Sequence, residues 1–290
     1  MKFAGLAFVL FAGSGSIASA GSAPPGVPSQ SSGNVNNYAC VPSAAHPDPV
    51  VLLHGGFANY QEDINLLQAQ LGAEGYCTFS FTYGTIYGFP YVGAVGPTDQ
   101  AGSQIATFIQ EVRSATGATK VDVVGHSAGA FMSLYVPKFD GVAYLIGRVV
   151  AIAPPTKGLG SQVLNPFAMY VLPGGQAELS QIEQAGGANS YDSLVVGGAP
   201  VVALDSGPIA QPGITYTIIT SKYDEMVTPT ADSFVHEPGV TNEYIQDFCP
   251  YDPVGHIGEA YDTNTWTLVS NALGPATATP ITSCAFGAPF

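Results

Sequence analysis

The sequence predicts a doubly wound α/β fold, in which a mostly parallel sheet carries helices on both faces. Apolar, β-branched segments of strand length alternate along the chain with longer segments of helical periodicity. One strand-like segment, VDVV, runs directly into GHSAG and then into a helix-like stretch. Alternation of strands and helices makes neighbouring strands parallel and covers both faces of the sheet, so these observations predict the fold class.

Each element follows from its own local pattern. Six segments have strand-like composition: 49–53, 77–81, 120–124, 147–153, 214–220 and 243–248. Four segments between them have a helical pattern: 59–71, 99–116, 128–136 and 259–272. Residues 154–206 are rich in Gly, Pro and apolar residues without clean periodicity. Such an insertion forms either a lid or cleft over an active site or ordinary packed loops, and both alternatives stay open at this point.

The 290-residue chain divides into three parts. Residues 1–20 combine one Lys near the start, an apolar stretch and an Ala18-Ser19-Ala20 ending, which predicts a secretory signal peptide and therefore an extracellular protein. Residues 21–37 are dominated by Gly, Pro, Ser and Asn, which predicts a flexible N-terminal segment. Residues 38–290 are expected to form one domain with a large core.

The charge balance excludes some classes of partner. The chain has 7 Lys and Arg against 21 Asp and Glu, a formal net charge of −14, which argues against nucleic-acid binding and against electrostatic docking on anionic membranes. After residue 20 no apolar segment approaches the length of a transmembrane helix, so stable membrane insertion is not expected. We expect a monomer.

The four cysteines predict two disulfides. An even number of cysteines in an oxidising compartment makes pairing the default, with three possible connectivities. Pairing of Cys40 with Cys77 and of Cys249 with Cys284 is favoured, because each bridge would tie a chain end to a nearby strand or loop. No cysteine or histidine spacing indicates a metal site.

Ser127 lies at the centre of GHSAG, between a predicted strand and a predicted helix. Strand, GxSxG and helix in this order are typical of a nucleophile elbow, a tight turn that exposes the serine hydroxyl. Only glycine at positions 125 and 129 lets the strand and the helix pass this closely. Ser127 is therefore the predicted nucleophile.

The base and the acid are expected after Ser127, in the order acid and then histidine. Of the histidines, His46 and His54 precede the serine, and His126 is expected to point away from its hydroxyl. His256 lies in a loop between the last predicted strand and the last predicted helix, which makes it the predicted base, whereas His236 is expected on the surface.

Asp224 is the predicted acid, because it follows a strongly apolar strand at the same sheet edge as the serine. Asp205, which also ends an apolar run, and Glu225 are its rivals. Asp252 is expected to cap a turn.

An oxyanion hole needs two backbone N–H donors. One is expected from Ala128, the residue after the nucleophile. The other is expected from HGGF after the first strand, where Gly56 is favoured and Phe57 is the alternative.

These residues lie in stretches that resemble the secreted class 2 lipases of the α/β-hydrolase superfamily. The stretches are PDPVVLLHGGFANYQED, GYCTFSFTYG, KVDVVGHSAGAF, TSKYDEMVTP and QDFCPYDPVGHIGEAYD, between about Cys40 and Cys284. The resemblance implies Ser127, Asp224 and His256 as a catalytic triad, no metal or other cofactor, and carboxylic esters up to triacylglycerols as substrates. Many relatives carry a larger residue, often Thr, where this chain has Gly56, so the second oxyanion donor stays open.

The sequence therefore predicts a secreted serine lipase or esterase that forms an acyl-enzyme. An acyltransferase and a cutinase-like polyester hydrolase on the same scaffold remain alternatives. A noncatalytic secreted binding protein is a further alternative, disfavoured because serine, acid, base and elbow are all present.

Overall fold

The computed structural model describes residues 33–160, 163, 166, 172–186 and 191–290. The predicted signal peptide and the predicted flexible segment before residue 33 lie outside the described residues. The centre of the fold is a six-stranded, entirely parallel sheet with the strand order β2-β1-β3-β4-β5-β6. Its strands are β1 Val50–Leu53, β2 Thr78–Ser80, β3 Val121–His126, β4 Ile146–Ile152, β5 Thr215–Thr220 and β6 Val240–Tyr244.

Helices cover both faces of this sheet. In chain order they are α1 Asn65–Ala73, α2 Thr98–Thr116, α3 Ala128–Phe139, α4 Gly175–Gly186, α5 Ala199–Asp205, α6 Ile245–Phe248 and α7 Thr263–Leu273. None of the helices within the described ranges is both long and apolar enough to cross a bilayer. Strands of a parallel sheet that is covered on both sides bury every side chain, and β1 is buried along its whole length.

The alternation of side chains along β1 separates the two main cores. Val51 and Leu53 pack with apolar residues of α2 and α3 on one face. Val50 and Leu52 pack with apolar residues of α1 and α7 on the other face. This two-sided packing is that of the doubly wound fold, so the predicted fold class is confirmed.

A third apolar cluster lies beyond the carboxyl edge of the sheet. Leu179 and Ile182 of α4 pack with Phe57 from the loop after β1 and with Met226 and Val227 from the loop after β5. Part of the 154–206 segment is therefore packed helix against the two loops that flank Ser127. Its residues 161, 162, 164, 165, 167–171 and 187–190 lie outside the described part of the chain.

Several predicted element bounds were wrong. Segment 243–248 was expected to be one strand, but β6 ends at Tyr244 and the chain turns into α6. This turn buries Gln246, whose side chain accepts from Lys222 N and donates to Ser221 Oγ, so it joins two loops.

The predicted helices 59–71 and 259–272 also begin later, at Asn65 and Thr263. Asp63 has a φ of 65°, which interrupts a right-handed helix before α1. Asp262 caps α7, since its side chain accepts a hydrogen bond from Thr265 N at 2.8 Å.

Two disulfides tie peripheral segments to the sheet and its loops. They join Cys40 to Cys77 and Cys249 to Cys284, the pairs that the sequence analysis favours. Cys77 immediately precedes β2, at the opposite end of the strands from Ser127. Cys249 follows α6 and begins residues 249–262, which carry His256 and are called the histidine loop.

Candidate active site

Ser127 occupies a sharp turn between β3 and α3. Its φ of 53° and ψ of −119° are a strained combination for a residue with a side chain. A Cβ atom added at Gly125 would collide with the carbonyl of Gly129, and one added at Gly129 would collide with the carbonyl of Leu53. The two glycines therefore allow strand and helix to pass at backbone contact, and the serine hydroxyl projects from the turn.

Three side chains from separate loops form a hydrogen-bonded chain. Ser127 Oγ lies 2.8 Å from His256 Nε2, and His256 Nδ1 lies 2.9 Å from Asp224 Oδ2. The serine is partly exposed, whereas the histidine and the aspartate are buried. An imidazole that donates from Nδ1 to the carboxylate has a bare Nε2 able to accept the serine proton.

Asp224 is held as a carboxylate by its surroundings. Its Oδ1 accepts hydrogen bonds from the backbone N–H groups of Met226 at 2.8 Å and Val227 at 2.9 Å. Burial alone would raise the pKa of Asp224, but the adjacent His256 and the two backbone donors outweigh burial and lower this pKa. The fixed negative charge selects the Nδ1–H tautomer of His256.

The other predicted candidates lie in different surroundings. Asp205 is half exposed at the end of α5 and forms an ion pair with Lys157. Glu225 contacts the backbone of the histidine loop, since its Oε2 accepts from His256 N at 3.0 Å. His236 is exposed, with its ring edge against Phe234. Asp252 caps turns by accepting from the amides of residues 254 and 287.

The loop after β1 brings its backbone to the serine. A Cβ atom built on Gly56 would lie 3.8 Å from Ala128 Cβ, so the two predicted oxyanion donors are neighbours. The N–H of Phe57, the predicted alternative, donates instead to the carbonyl of Gly93 at 3.0 Å.

Sequence reasoning missed the pairing of Asp63 with His126 and a third buried group at this site. Asp63 Oδ2 accepts from Gly55 N at 2.6 Å, and Asp63 Oδ1 lies 2.7 Å from His126 Nδ1. Asp63 was expected inside a helix, which concealed its contacts with Gly55 and His126. The third group is Glu259, next to the triad.

Glu259 is fully buried beside Asp224 and His256. Its Oε1 accepts from Ser221 N at 3.1 Å, and burial, aided by the charge of Asp224, raises the pKa of Glu259 well above its ordinary value. One potential ligand atom from each of Asp224, His256 and Glu259 lies within 4.8 Å of the others. A metal ion there would compete with the hydrogen bond that joins Asp224 to His256.

A cleft of about 360 Å³ opens above the serine. Ser127 and His256 form its floor, and its walls are largely apolar or aromatic, from Phe57, Ala58, Ile257, Tyr261 and Phe290. Phe290 reaches this position because residues 288–290 follow the histidine loop, with Gly258 N donating to the carbonyl of Phe290 at 2.6 Å. A larger groove of about 490 Å³ between α1 and α7 contains none of the triad residues.

Comparison with known proteins finds a family that resembles part of this chain. The family described as lipase (class 2) matches residues 47–140, which include the loop after β1 and the serine elbow. Over these residues the chain is similar to the class 2 lipases, and its fold is that of the α/β hydrolases.

Two triacylglycerol lipases resemble this chain in sequence. The proteins from Pseudarthrobacter phenanthrenivorans and Burkholderia plantarii are each 31% identical to it over 157 residues, or 52% of this chain. The match covers 46% and 41% of those lipases, so the chain spans less than half the length of the relatives that it matches.

Solved structures share the fold over most of the chain. Aspergillus fumigatus lipase B superposes with a TM-score of 0.58 at 16% identity, covering 86% of this chain and 57% of the lipase. The mature Bacillus licheniformis lipase BlEst2 superposes with a TM-score of 0.52 at 15% identity, covering 82% and 94% respectively.

Proposed function

We propose that this chain is a secreted serine hydrolase that cleaves carboxylic esters, including acylglycerols, through an acyl-enzyme. The observation that carries the proposal is the continuous hydrogen-bonded chain from Ser127 Oγ through His256 to Asp224 beneath an open cleft. Nucleophile, base and orienting acid within hydrogen-bond distance are the arrangement that activates a serine for attack on an acyl carbon.

In the acylation step, Ser127 Oγ attacks the ester carbonyl carbon while His256 Nε2 takes its proton. The negative charge that develops on the carbonyl oxygen is held by the N–H groups of Ala128 and Gly56, and Asp224 stabilises the imidazolium. His256 then donates its proton to the departing alcohol oxygen as the carbon–oxygen bond breaks. The acyl group remains on the serine.

In the deacylation step, His256 accepts a proton from a water molecule, which attacks the acyl carbon. Collapse of this second tetrahedral intermediate releases the carboxylic acid and returns the proton to Ser127. Gly56 rather than Phe57 supplies the second oxyanion donor in this proposal, because the Phe57 N–H donates to Gly93.

The substrate class follows from the cleft and from the relatives. The apolar wall that includes Ile257 and Phe290 suits an acyl chain, and the relatives that share 31% identity are named triacylglycerol lipases. Packing of α4 against Phe57 and Met226 supports the proposal that part of segment 154–206 walls this cleft. Two disulfides and the signal-like residues 1–20 support secretion.

The test compares Ser127→Ala with Ser103→Ala, a control on the exposed face of α2. We expect Ser127→Ala to lower kcat on p-nitrophenyl esters by about 10⁴- to 10⁶-fold and to abolish labelling by a fluorophosphonate. Ser103→Ala should match the wild type in both. Rates on p-nitrophenyl esters of increasing acyl length then identify the preferred acyl group.

Two results would contradict the proposal. Hydrolysis by purified Ser127→Ala at near wild-type rates would remove the serine from the mechanism. A folded wild type that neither hydrolyses any ester nor reacts with the fluorophosphonate would instead favour a noncatalytic binding protein. Product analysis with added alcohol separates hydrolysis from acyl transfer.

A further inference from the structure

A second buried histidine–carboxylate pair lies beside the triad and takes no part in its chain of proton transfer. Asp63 Oδ1 and His126 Nδ1 are 2.7 Å apart, and both side chains are almost completely buried. His126 directly precedes Ser127, yet its ring points away from the serine hydroxyl toward the loop after β1. Its centroid lies 5.2 Å from the ring of His256.

The contacts of His126 show which of its ring nitrogens carries a proton outside the pair. Its Nε2 lies 2.9 Å from the carbonyl oxygen of His256, which can only accept, so Nε2 carries a proton. Its Nδ1 faces Asp63, whose other oxygen already accepts from Gly55 N. Burial opposes charge on both groups, but their mutual attraction raises the pKa of His126 and lowers that of Asp63.

This pair joins three segments of the site. Asp63 Oδ2 accepts from Gly55 N at 2.6 Å in the loop after β1, and His126 Nε2 donates to the carbonyl of His256 in the histidine loop. A third contact comes from Tyr261, whose hydroxyl accepts from Asp63 N at 2.7 Å. One buried pair thus fixes the spacing between the loop after β1, the serine elbow and the histidine loop.

Gly55 is held at both of its peptide groups. Its N–H donates to Asp63, and its carbonyl accepts from His54 Nδ1 at 2.8 Å. Burial lowers the pKa of His54 to about 4, so this ring is a neutral donor. The Gly55 carbonyl and the Gly56 N–H belong to the same trans peptide and point in opposite directions. The hydrogen bond that fixes this carbonyl therefore also sets the direction of the Gly56 N–H.

We infer that the Asp63–His126 pair positions the Gly56 N–H for the oxyanion, and that these two side chains are positioning residues for ester hydrolysis. The inference rests on the proposed function. Loss of Asp63 would free Gly55 N–H and let the loop move relative to Ala128. Removing an oxyanion donor outright lowers kcat by about 10²- to 10³-fold, so a misplaced donor is expected to cost about 10- to 100-fold.

The experiment measures kcat and KM of Asp63→Ala, Asp63→Asn and the exposed control Asp99→Ala on a p-nitrophenyl ester and on its thionoester. Sulfur accepts hydrogen bonds poorly, so the ratio of ester to thionoester rates reports the oxyanion hole. Asp63→Ala should lower kcat with KM within about threefold and reduce this ratio by about 10-fold. Asp99→Ala should change neither.

Asp63→Asn should recover most of the lost rate. An Asn oxygen can accept from Gly55 N while its NH₂ group donates to a neutral His126, so the hydrogen bonds survive without the charges. Should Asp63→Ala not fold, Tyr261→Phe removes only the hydroxyl that accepts from Asp63 N. It should lower kcat and the ester-to-thionoester ratio in the same direction by about two- to fivefold.

The outcomes separate this inference from the proposed function. An active wild type with Asp63→Ala unchanged, or with a lower kcat and an unchanged ester-to-thionoester ratio, overturns the positioning role alone. Equal impairment of Asp63→Asn and Asp63→Ala overturns the hydrogen-bond account. A wild type inactive on all esters overturns both proposals together.

Discussion

At the scale of single residues, position at the end of a strand indicated which aspartate lies near Ser127. Asp224 follows β5, and the carboxyl ends of parallel strands meet at one edge of the sheet, so the sequence order already placed it near Ser127. Asp205 looked similar, since it also ends an apolar run. That run is α5 and not a strand, which leaves Asp205 exposed beside Lys157.

Replacement of these two aspartates tests the acid. Asp224→Asn should lower kcat by about 10⁴-fold, because an amide facing Nδ1 favours the tautomer with a proton on Nε2, which cannot accept from Ser127. Asp205→Asn, the matched control, should keep a rate near that of the wild type. Steady-state kinetics on one ester measures kcat for both variants. An inactive Asp205→Asn together with a normal Asp224→Asn would assign the acid to Asp205 instead.

Asp122 offers a residue-scale prediction about stability. It is buried in β3, where burial and the nearby Asp48 raise its pKa to about 7 against the opposing effect of Arg148. The folded state therefore binds more protons than the unfolded state between about pH 4 and 7, and Asp122 costs stability as pH rises through this range.

Asp122→Asn should consequently raise the free energy of unfolding at pH 8, by up to about 4 kcal/mol, and by much less near pH 5. Urea unfolding at both pH values measures the difference, with the exposed Asp99→Asn as control. A gain of equal size at both pH values would show that the ionisation of Asp122 is not responsible.

At the scale of elements, the sheet and helices α2 and α3 were predictable, whereas helices α4 and α5 were not. Strands such as β3 and β5 are short apolar runs, and burial on both faces leaves a signal in the sequence itself. Helices α4 and α5 lie in a segment rich in Gly and Pro. Packing of α4 against Phe57 and Met226, and of α5 against the core on the α2 and α3 face, decides the structure there more than local periodicity does. For the same reason Asp63 could not be placed, since its conformation depends on His126 and Tyr261.

The two disulfides are expected to differ in their effect on activity. Each closes a loop of similar length, with sequence separations of 37 and 35, so removal of either should destabilise the protein by about 3–4 kcal/mol. Cys249–Cys284 also anchors the segment that brings Phe290 to the cleft.

Cys249→Ser with Cys284→Ser should therefore lower kcat/KM for long acyl chains as well as stability. Cys40→Ser with Cys77→Ser, the control at the opposite end of the strands, should lower stability alone. Thermal unfolding and chain-length kinetics on both double variants provide the test. Equal loss of kcat/KM in the two would contradict a role for the Phe290 segment.

At the scale of the whole molecule, charge governs which lipid surfaces the protein can approach. A net charge of −14 gives a repulsive field toward anionic headgroups, and the field reaches about 30 Å at 0.01 M salt but only about 10 Å at 0.1 M. An uncharged interface does not repel the protein in this way, so it leaves the apolar cleft free to approach. Adsorption should thus depend on headgroup charge and ionic strength, whereas the chemistry at Ser127 should not.

We accordingly expect hydrolysis of triacylglycerol emulsions coated with anionic phosphatidylglycerol to be several-fold slower at 0.01 M salt than that of emulsions coated with phosphatidylcholine. Raising the salt to about 0.3 M should largely close this gap, because screening removes the repulsion without touching the cleft. A soluble short-chain ester is the control, and its hydrolysis should respond weakly to salt. Faster hydrolysis of the anionic emulsion at low salt would mean that a local basic or apolar surface, and not the net charge, governs adsorption.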